Sequence, residues 1–308
     1  MKKFYLGMLV VGLCGQRMAG ASININVEAV QKSVVFLYGA QANGGIDSSK
    51  PLGTGFIVEV PLRTNPQKAY KLLVTARHIV EPQWALCPAE NPQMIFVRFN
   101  KKNYDPSKDA TGILDAPLQL IQDGARLYHT HSDESVDVAV IVLIGNLLED
   151  YDIVGIPIWL FPTQDELKAF APSDSIVSAG LVPGASGKKR NYPLFKFGYI
   201  SSIPDELVES SCAPNLPTHL ERLWFIAANL VPGNSGSPIL FVPSGFGGLS
   251  IGGQRPMLLG VQSTSFLLWD VAGMTPVQYL YEVVVNLGLP DSDLSRGARS
   301  KAPVGEKH

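Results

Sequence analysis

The chain has 308 residues, of which 46% are apolar, and this length and composition are sufficient for one or two well-buried cores. Its formal net charge of -2 comes from 27 acidic and 25 basic side chains, and no basic run lies beside aromatic residues. Because a groove that follows a nucleic acid strand needs such a run, the composition argues against nucleic acid as a partner.

The first 21 residues have the pattern of a signal peptide. Lys2 and Lys3 precede an apolar run over residues 4–14, and Ala19-Gly20-Ala21 is a small-x-small cleavage site. We therefore expect cleavage after Ala21 and a secreted or periplasmic protein without stable membrane insertion. The apolar run is too short to span a bilayer comfortably. A retained anchor, or a lipid attached to Cys14, is the alternative.

Short β-rich segments separated by turn residues fill the first half of the chain. Strands at this spacing are typical of an antiparallel barrel or sandwich. The predicted strands are Ser33–Tyr38, Gly53–Val60, Tyr70–Ala76, Ile95–Phe99, Leu118–Leu120 and Val136–Leu143.

The second half repeats the β pattern after a weaker stretch in which Thr163-x-x-Glu166 predicts a capped short helix. Apolar residues at helical spacing predict a closing helix over Val277–Leu287. The predicted strands of this half are Ser175–Gly180, Leu194–Ile200, Leu223–Ala227, Pro238–Val242 and Met257–Ser263.

These patterns predict two β domains. The expected divisions are a signal peptide over 1–21, an N-terminal β-barrel over 22–150, an inter-barrel connection over 151–172, a C-terminal β-barrel with the closing helix over 173–289, and a flexible tail over 290–308.

Two cysteines remain after the expected cleavage, Cys87 and Cys212. An oxidising compartment would let them pair and close a long loop. The alternative is a pair of buried free thiols, which is a common situation and the one that the sequence favours.

The stretch Val231–Pro238 contains one central serine between two glycines. A serine hydroxyl is a poor nucleophile unless a neighbouring base and backbone N–H groups assist it. Gly233 can take backbone angles closed to other residues, and so can turn its N–H and that of Ser235 towards one point. The stretch therefore predicts either a nucleophile with an oxyanion hole or only a polar turn.

Among the five histidines, His78 alone follows a predicted strand directly and has small residues around it, which makes it the candidate base. Asp137 precedes an apolar strand, so it is expected to be buried and to need hydrogen-bond donors. These are the properties of a carboxylate that orients a catalytic histidine. Asp133 is the competing candidate, although its neighbours are those of an exposed loop.

Three segments together resemble the signatures of trypsin-like, chymotrypsin-fold serine proteases, in the order histidine, aspartate, serine. They are Thr75-Ala76-Arg77-His78, Asp137-Val138-Ala139-Val140 and Gly233-Asn234-Ser235-Gly236-Ser237-Pro238. Gly53-Thr54-Gly55-Phe56 is similar to a strand of the bacterial periplasmic heat-shock (HtrA-like) peptidases. The resemblance implies an all-β fold, a chymotrypsin-like double antiparallel β-barrel with the site between the barrels. Only 73 residues follow Ser235 and the predicted strands and tail occupy them, so we expect no peptide-binding (PDZ) domain, in contrast to the heat-shock enzymes.

The resemblance also implies roles for individual residues. His78 would be the general base, Asp137 its orienting partner and Ser235 the nucleophile, with the N–H groups of Gly233 and Ser235 as the oxyanion hole. The implied substrate-binding residues are the strand residues Ser263, Thr264 and Ser265, and Asn229 at the floor of a pocket for uncharged side chains.

Asn234 departs from the zymogen-activated relatives, because a neutral amide cannot form an ion pair with a newly cut N-terminus. Ser237 stands where glycine is common in the family. We expect no cofactor and no metal site, since His129 and His131 on a loop are too few ligands. Residues 245–253 are expected to form a mobile hairpin.

The sequence thus predicts an exported serine endopeptidase that cuts proteins or peptides through an acyl-enzyme intermediate. A catalytically silent peptide-binding or chaperone-like module on the same fold is the alternative, and an esterase is a third.

Overall fold

The computed structural model describes residues 27–143, 150–185, 187–213, 215–243, 255–266 and 270–297. The predicted signal peptide, the predicted hairpin over 245–253 and the last part of the predicted tail lie outside the described residues. Within those ranges, no helix combines the length and apolar character that crossing a membrane requires.

The first half of the chain forms a sheet of eight strands in the order β5-β4-β1-β2-β3-β9-β8, with β10 pairing to β2. A short helix, α1 (Val27–Ser33), precedes it. The strands of this half, with the small β6-β7 hairpin, are β1 (Val34–Ala40), β2 (Ile46–Pro61), β3 (Ala69–Thr75), β4 (Met94–Asn100), β5 (Ile113–Gln119), β6 (Ile121–Gln122), β7 (Ala125–Arg126), β8 (His129–Thr130), β9 (Ala139–Leu143) and β10 (Ile156–Pro157).

The second half forms a closed barrel of six strands in the order β11-β12-β15-β18-β17-β16. A separate hairpin, β13 (Val208–Ser211) and β14 (Thr218–Glu221), leaves the barrel between β12 and β15. The barrel strands are β11 (Ser175–Gly180), β12 (Leu194–Ser202), β15 (Trp224–Ala227), β16 (Pro238–Phe241), β17 (Met257–Phe266) and β18 (Val271–Pro276).

The described residues contain three further α-helices: α2 (Arg77–Val80), α3 (Gln164–Lys168) and α4 (Val277–Asn286). The predicted capping box is confirmed, since the Thr163 hydroxyl accepts the Glu166 N–H and the Glu166 carboxylate accepts the Thr163 N–H. The predicted closing helix is confirmed by α4. A largely antiparallel sheet, to which β10 adds one short parallel pairing, a closed antiparallel barrel and this C-terminal helix confirm the predicted all-β fold class.

Both faces of the central part of the first sheet are buried, which explains the continuous apolar runs in β1, β2 and β3. In β2, Phe56, Val58 and Val60 face a core shared with the barrel, whereas Ile57 faces a core within the first unit. A strand covered on both sides needs apolar residues at consecutive positions. The shared core includes Leu240 and Leu258 of the barrel, so the two units pack through side chains from both.

The predicted flexible tail is partly described. Residues 290–297 run along the end of β2, where the Asp293 N–H donates to the Pro61 carbonyl at 2.7 Å and the Arg63 N–H to the Asp291 carbonyl at 2.8 Å. These bonds join the described part of the tail to the first unit. The domain boundaries themselves stay a prediction.

Cys87 and Cys212 form a disulfide with their Cα atoms 5.4 Å apart, so the expectation of two free thiols was wrong. Cys87 follows a short 3-10 helix, Pro82–Ala85, and Cys212 follows β13 directly. Sequence reasoning could not detect this proximity because it depends on how the β13-β14 hairpin lies against the first unit. The bridge ties the two halves of the chain together.

Candidate active site

The pairing of β3 with β9 brings His78 and Asp137 together. Thr75 at the end of β3 lies opposite Ala139 at the start of β9, so the residues just beyond share one end of the sheet. Asp137 accepts the His78 backbone N–H at 3.0 Å through Oδ1, and its Oδ2 lies 2.7 Å from His78 Nδ1. These two contacts fix both the position and the orientation of the imidazole.

Burial and charge act in opposite directions on this pair. Burial works to lower the pKa of His78, but the charge and hydrogen bond of Asp137, with the charge of Glu221, outweigh it and the pKa is raised. Burial works to raise the pKa of Asp137, but His78 and the Ser263 hydroxyl outweigh it and the pKa is lowered. The carboxylate is therefore held charged behind the imidazole.

Asp133, the competing candidate, has a different role. Its carboxylate accepts the Ser135 N–H and hydroxyl and forms an ion pair with Arg222 at 2.8 Å. The hydrogen bonds from Ser135 and Arg222 hold its pKa well below the usual range. Asp133 thus stabilises the turn before Asp137, and the geometry around His78 involves Asp137.

The turn around Ser235 needs glycine at two positions. Gly233 and Gly236 have φ values of 99° and 85°, a region that side chains rarely adopt. A Cβ on Gly236 would also lie 2.0 Å from the Thr54 carbonyl oxygen. The first unit holds this turn directly, because the Thr54 N–H donates to the Ser235 carbonyl and the Thr54 hydroxyl to the Gly233 carbonyl, both at 2.8 Å.

The N–H groups predicted to form the oxyanion hole are available. Among the described residues, neither the Gly233 N–H nor the Ser235 N–H has a hydrogen-bond acceptor, whereas the intervening Asn234 N–H donates to the Val231 carbonyl. The Ser235 hydroxyl donates to the Ser263 carbonyl at 3.1 Å, and the described residues show no hydrogen bond between it and the His78 ring.

The Asn234 side chain holds the turn in place through three hydrogen bonds. Its amide is 1% exposed and donates to the Leu181 carbonyl at 2.9 Å, and its oxygen accepts the Val231 N–H at 3.0 Å and Lys196 Nζ at 3.1 Å. A neutral amide, which cannot receive a terminal amine as an ion pair, is therefore satisfied by groups already in the fold.

Replacing Asn234 with alanine is expected to lower the free energy of unfolding by about 3 kcal/mol, roughly 1 kcal/mol for each of its three hydrogen bonds. Urea unfolding measures this change. Asn229→Ala is the matched control, because Asn229 is exposed and only its backbone carbonyl accepts Lys196 Nζ. Equal stability of the two variants would contradict the structural role of the Asn234 amide.

A cavity of about 470 Å³ contains most of the predicted site residues. His78 and Ser235 both line it, as do the predicted substrate-binding residues Ser263, Thr264 and Ser265. The disulfide, the β13-β14 hairpin and Phe266 form other parts of its wall. Asn229 is exposed and does not line this cavity, so the structure does not bring it together with His78, Ser235 and the predicted strand residues.

Sequence reasoning missed two residues that lie at this site, His219 and Glu221, and missed the hydroxyl contact of Ser263 with Asp137. The alternation in Thr218-His219-Leu220-Glu221 was the available signal, since residues two apart on a strand share a face. Nothing local indicates that this face is directed at Asp137. Within the described residues, no group of side chains has the composition of a metal site.

No protein-family model matches the sequence, and no curated protein matches it. Among solved structures, the MamO protease domain from Magnetospirillum magneticum aligns with 85% of this chain and 97% of its own, at 16% identity and a TM-score of 0.47. The active form of the Rv3671c protease from M. tuberculosis aligns with 87% of this chain and 88% of its own, at 16% identity and a TM-score of 0.43.

Proposed function

We propose that the protein is a serine endopeptidase that hydrolyses peptide bonds through an acyl-enzyme intermediate. The observation that carries this proposal is the two-point contact between His78 and the buried Asp137, on the wall of a cavity that Ser235 also lines. Serine nucleophilic catalysis requires a buried carboxylate that holds an imidazole in one orientation, beside a serine in a turn that can supply N–H groups. The N–H groups of Gly233 and Ser235 have no acceptor among the described residues.

In the proposed reaction, Ser235 Oγ attacks the carbonyl carbon of the peptide and its proton passes to Nε2 of His78. Asp137 stabilises the resulting imidazolium, and the N–H groups of Gly233 and Ser235 bind the negative oxygen. The C–N bond then breaks as His78 protonates the leaving amine. Water, activated by the same histidine, hydrolyses the ester and regenerates the serine.

The hydrogen bond from Ser235 to the Ser263 carbonyl belongs to the protein without substrate. Attack requires the hydroxyl to exchange this acceptor for His78 Nε2. Catalytic hydrogen bonds that are long or misaligned in a free enzyme commonly form only in the substrate complex. The backbone near Ser263 is a suitable partner for a substrate, because the pairing of β17 with β18 is interrupted between Gln262 and Ser265.

We propose an extended peptide along this interrupted edge, with Ser263, Thr264 and Ser265 as its backbone partners. The assignment of Asn229 to a specificity pocket stays a prediction. We also propose that the protein is related to the HtrA-like peptidases and that it is exported to the periplasm or the exterior. The Cys87–Cys212 disulfide supports export, since disulfides form and persist in oxidising compartments.

A fluorophosphonate probe tests the nucleophile directly, because it forms a covalent adduct only with an activated serine. We expect intact-mass analysis to show one adduct on the wild-type protein and peptide mapping to place it on Ser235. Ser235→Ala should remain unlabelled. Ser237→Ala is the matched control, since this second serine of the turn is fully buried. A folded wild-type protein that takes no label would contradict the proposal.

A catalytically silent peptide-binding module is the second candidate, and the observation that favours it is the Ser235 hydroxyl bonded away from His78. That function predicts that wild type and Ser235→Ala bind an unfolded protein equally and that neither cleaves it. Cleavage by the wild type alone excludes it.

A further inference from the structure

Ser263 joins Asp137 to a second carboxylate that the proposed reaction does not use. The Ser263 hydroxyl is 1% exposed and lies 2.5 Å from Asp137 Oδ2 and 2.7 Å from Glu221 Oε2. Glu221 is the last residue of β14 and is itself 3% exposed. Two buried acids from different units of the fold thus meet at one hydroxyl group.

We propose that Glu221 is a positioning residue for the proposed peptidase reaction, which holds Ser263 against Asp137 and places a second negative charge behind His78. This inference rests on the proposed function, in which His78 acts as the base. Glu221 contacts neither the imidazole nor the nucleophile through any described hydrogen bond, and so acts through Ser263.

The chemistry of the hydroxyl gives Glu221 its first effect. A hydroxyl carries one hydrogen, so Ser263 can donate to only one carboxylate at a time. When the hydrogen points to Glu221, this bond fixes the position of the Ser263 hydroxyl but the bond to Asp137 is not made, so the two carboxylates compete for one hydrogen. A side chain at position 221 that donates instead would leave Ser263 free to donate to Asp137 permanently.

The charge of Glu221 gives the second effect. It acts in the same direction as Asp137 and contributes to raising the pKa of His78. A base with a raised pKa becomes neutral only at higher pH, so the acid limb of the activity profile lies higher than it would without this charge. Removing the charge should move that limb to lower pH.

The other charged groups around the cluster have partners of their own. In α2, next to His78, Arg77 is paired with Glu81 at 2.9 Å and with Glu134 at 2.8 Å. Arg222, next to Glu221, is paired with Asp133. Among the described residues, Asp137 and Glu221 are the acids whose charges raise the pKa of His78.

His219 lies beside the other oxygen of the Glu221 carboxylate, without the geometry of a hydrogen bond. Its Nε2 lies 2.8 Å from Glu221 Oε1, and its ring packs edge-on against Trp84 with the centroids 4.9 Å apart. Trp84 belongs to the 3-10 helix that leads to Cys87, the first-unit end of the disulfide. The docking of the hairpin against the first unit therefore fixes where the Glu221 carboxylate lies.

The pH dependence of kcat/KM on a peptide substrate, measured for E221Q and E221M, tests this inference. Both variants remove the charge, and glutamine keeps a hydrogen bond to Ser263 whereas methionine does not. We expect the acid limb to move down by about 0.5 to 1 pH unit in both. Above that limb, E221Q should stay within about threefold of wild type and E221M should lose about tenfold in kcat with little change in KM.

E209Q is the matched control, because Glu209 lies in the same hairpin on β13 and is exposed. Its acid limb should coincide with that of wild type. Circular dichroism establishes that each variant is folded, and either charge-removing variant is sufficient for the test. An acid limb unchanged in the folded variants would overturn the inference.

An NMR titration of the His78 ring in 15N-histidine-labelled protein separates this inference from the proposed function. The ring should titrate at lower pH in E221Q than in wild type and E209Q, whether or not the protein hydrolyses peptides. A shifted titration without hydrolysis would refute the function but keep the coupling. Hydrolysis with an unshifted titration would refute the coupling.

Discussion

Replacing Ser235 with alanine is expected to lower kcat for peptide hydrolysis by about 10⁶-fold, because the other serine of the turn, Ser237, is fully buried and cannot reach a substrate. His78→Ala should cost about as much, since the hydroxyl then has no base. The double variant should be no slower than either single one, because the two residues act as one unit. Steady-state rates on a peptide substrate measure all three.

The fold should tolerate the Ser235 substitution, because Ser235 makes one side-chain hydrogen bond among the described residues, to a backbone carbonyl. We expect thermal unfolding of Ser235→Ala within a few degrees of wild type, about 1 kcal/mol or less. His78→Ala should be less stable, because it leaves the buried Asp137 carboxylate without the imidazole. Ser237→Ala should keep its activity. Undiminished hydrolysis by Ser235→Ala would assign the reaction to another residue.

The pairing of His78 with Asp137 could be predicted because it follows from strand ends. Each residue lies next to an apolar segment, and two neighbouring antiparallel strands bring such ends together. The boundary was less predictable: the expected strand from Val136 begins only at Ala139, since residues 136–138 extend past the end of β3. Apolar residues there are buried without strand pairing, so hydrophobicity alone did not mark the strand end.

The β13-β14 hairpin could not be predicted from its own residues. Its strands have four residues each and consist largely of serine, histidine and glutamate, which carry little β preference. The contact between Glu221 and Ser263 joins residues 42 positions apart and depends on how the hairpin is docked. A local pattern contains no information about such docking.

Asn234, which stands where the zymogen-activated relatives have an aspartate, is a second case in which the sequence does not indicate a long-range contact. The sequence indicates that a terminal amine has no acid to pair with, but it does not indicate what replaces that pair. In the structure Lys196, from the barrel strand β12, donates to the Asn234 oxygen and to the Asn229 carbonyl. The Lys196 amine thus supplies the hydrogen-bond donor for the Asn234 side-chain oxygen. The pairing of β12 within the barrel brings Lys196 to this place.

Removing the disulfide is expected to lower the free energy of unfolding by about 4 to 5 kcal/mol in the chain-entropy model, because the bridge closes a loop between cysteines 125 positions apart. The double variant Cys87→Ser, Cys212→Ser removes it without leaving a reactive thiol. Urea unfolding with and without reductant measures the loss. Reductant should destabilise the wild type and leave the double variant unchanged.

Removing the disulfide should destabilise the β13-β14 hairpin more than the two β cores. The described hairpin is held to the first unit by the disulfide and by the contact of His219 with Trp84, whereas each core keeps its own buried apolar cluster. Hydrogen exchange should therefore accelerate first in β13 and β14 when the bridge is absent. Since Glu221 lies in β14, the double variant should also show the lower acid limb expected of E221Q. Unchanged stability and exchange would mean that the hairpin docks without the bridge.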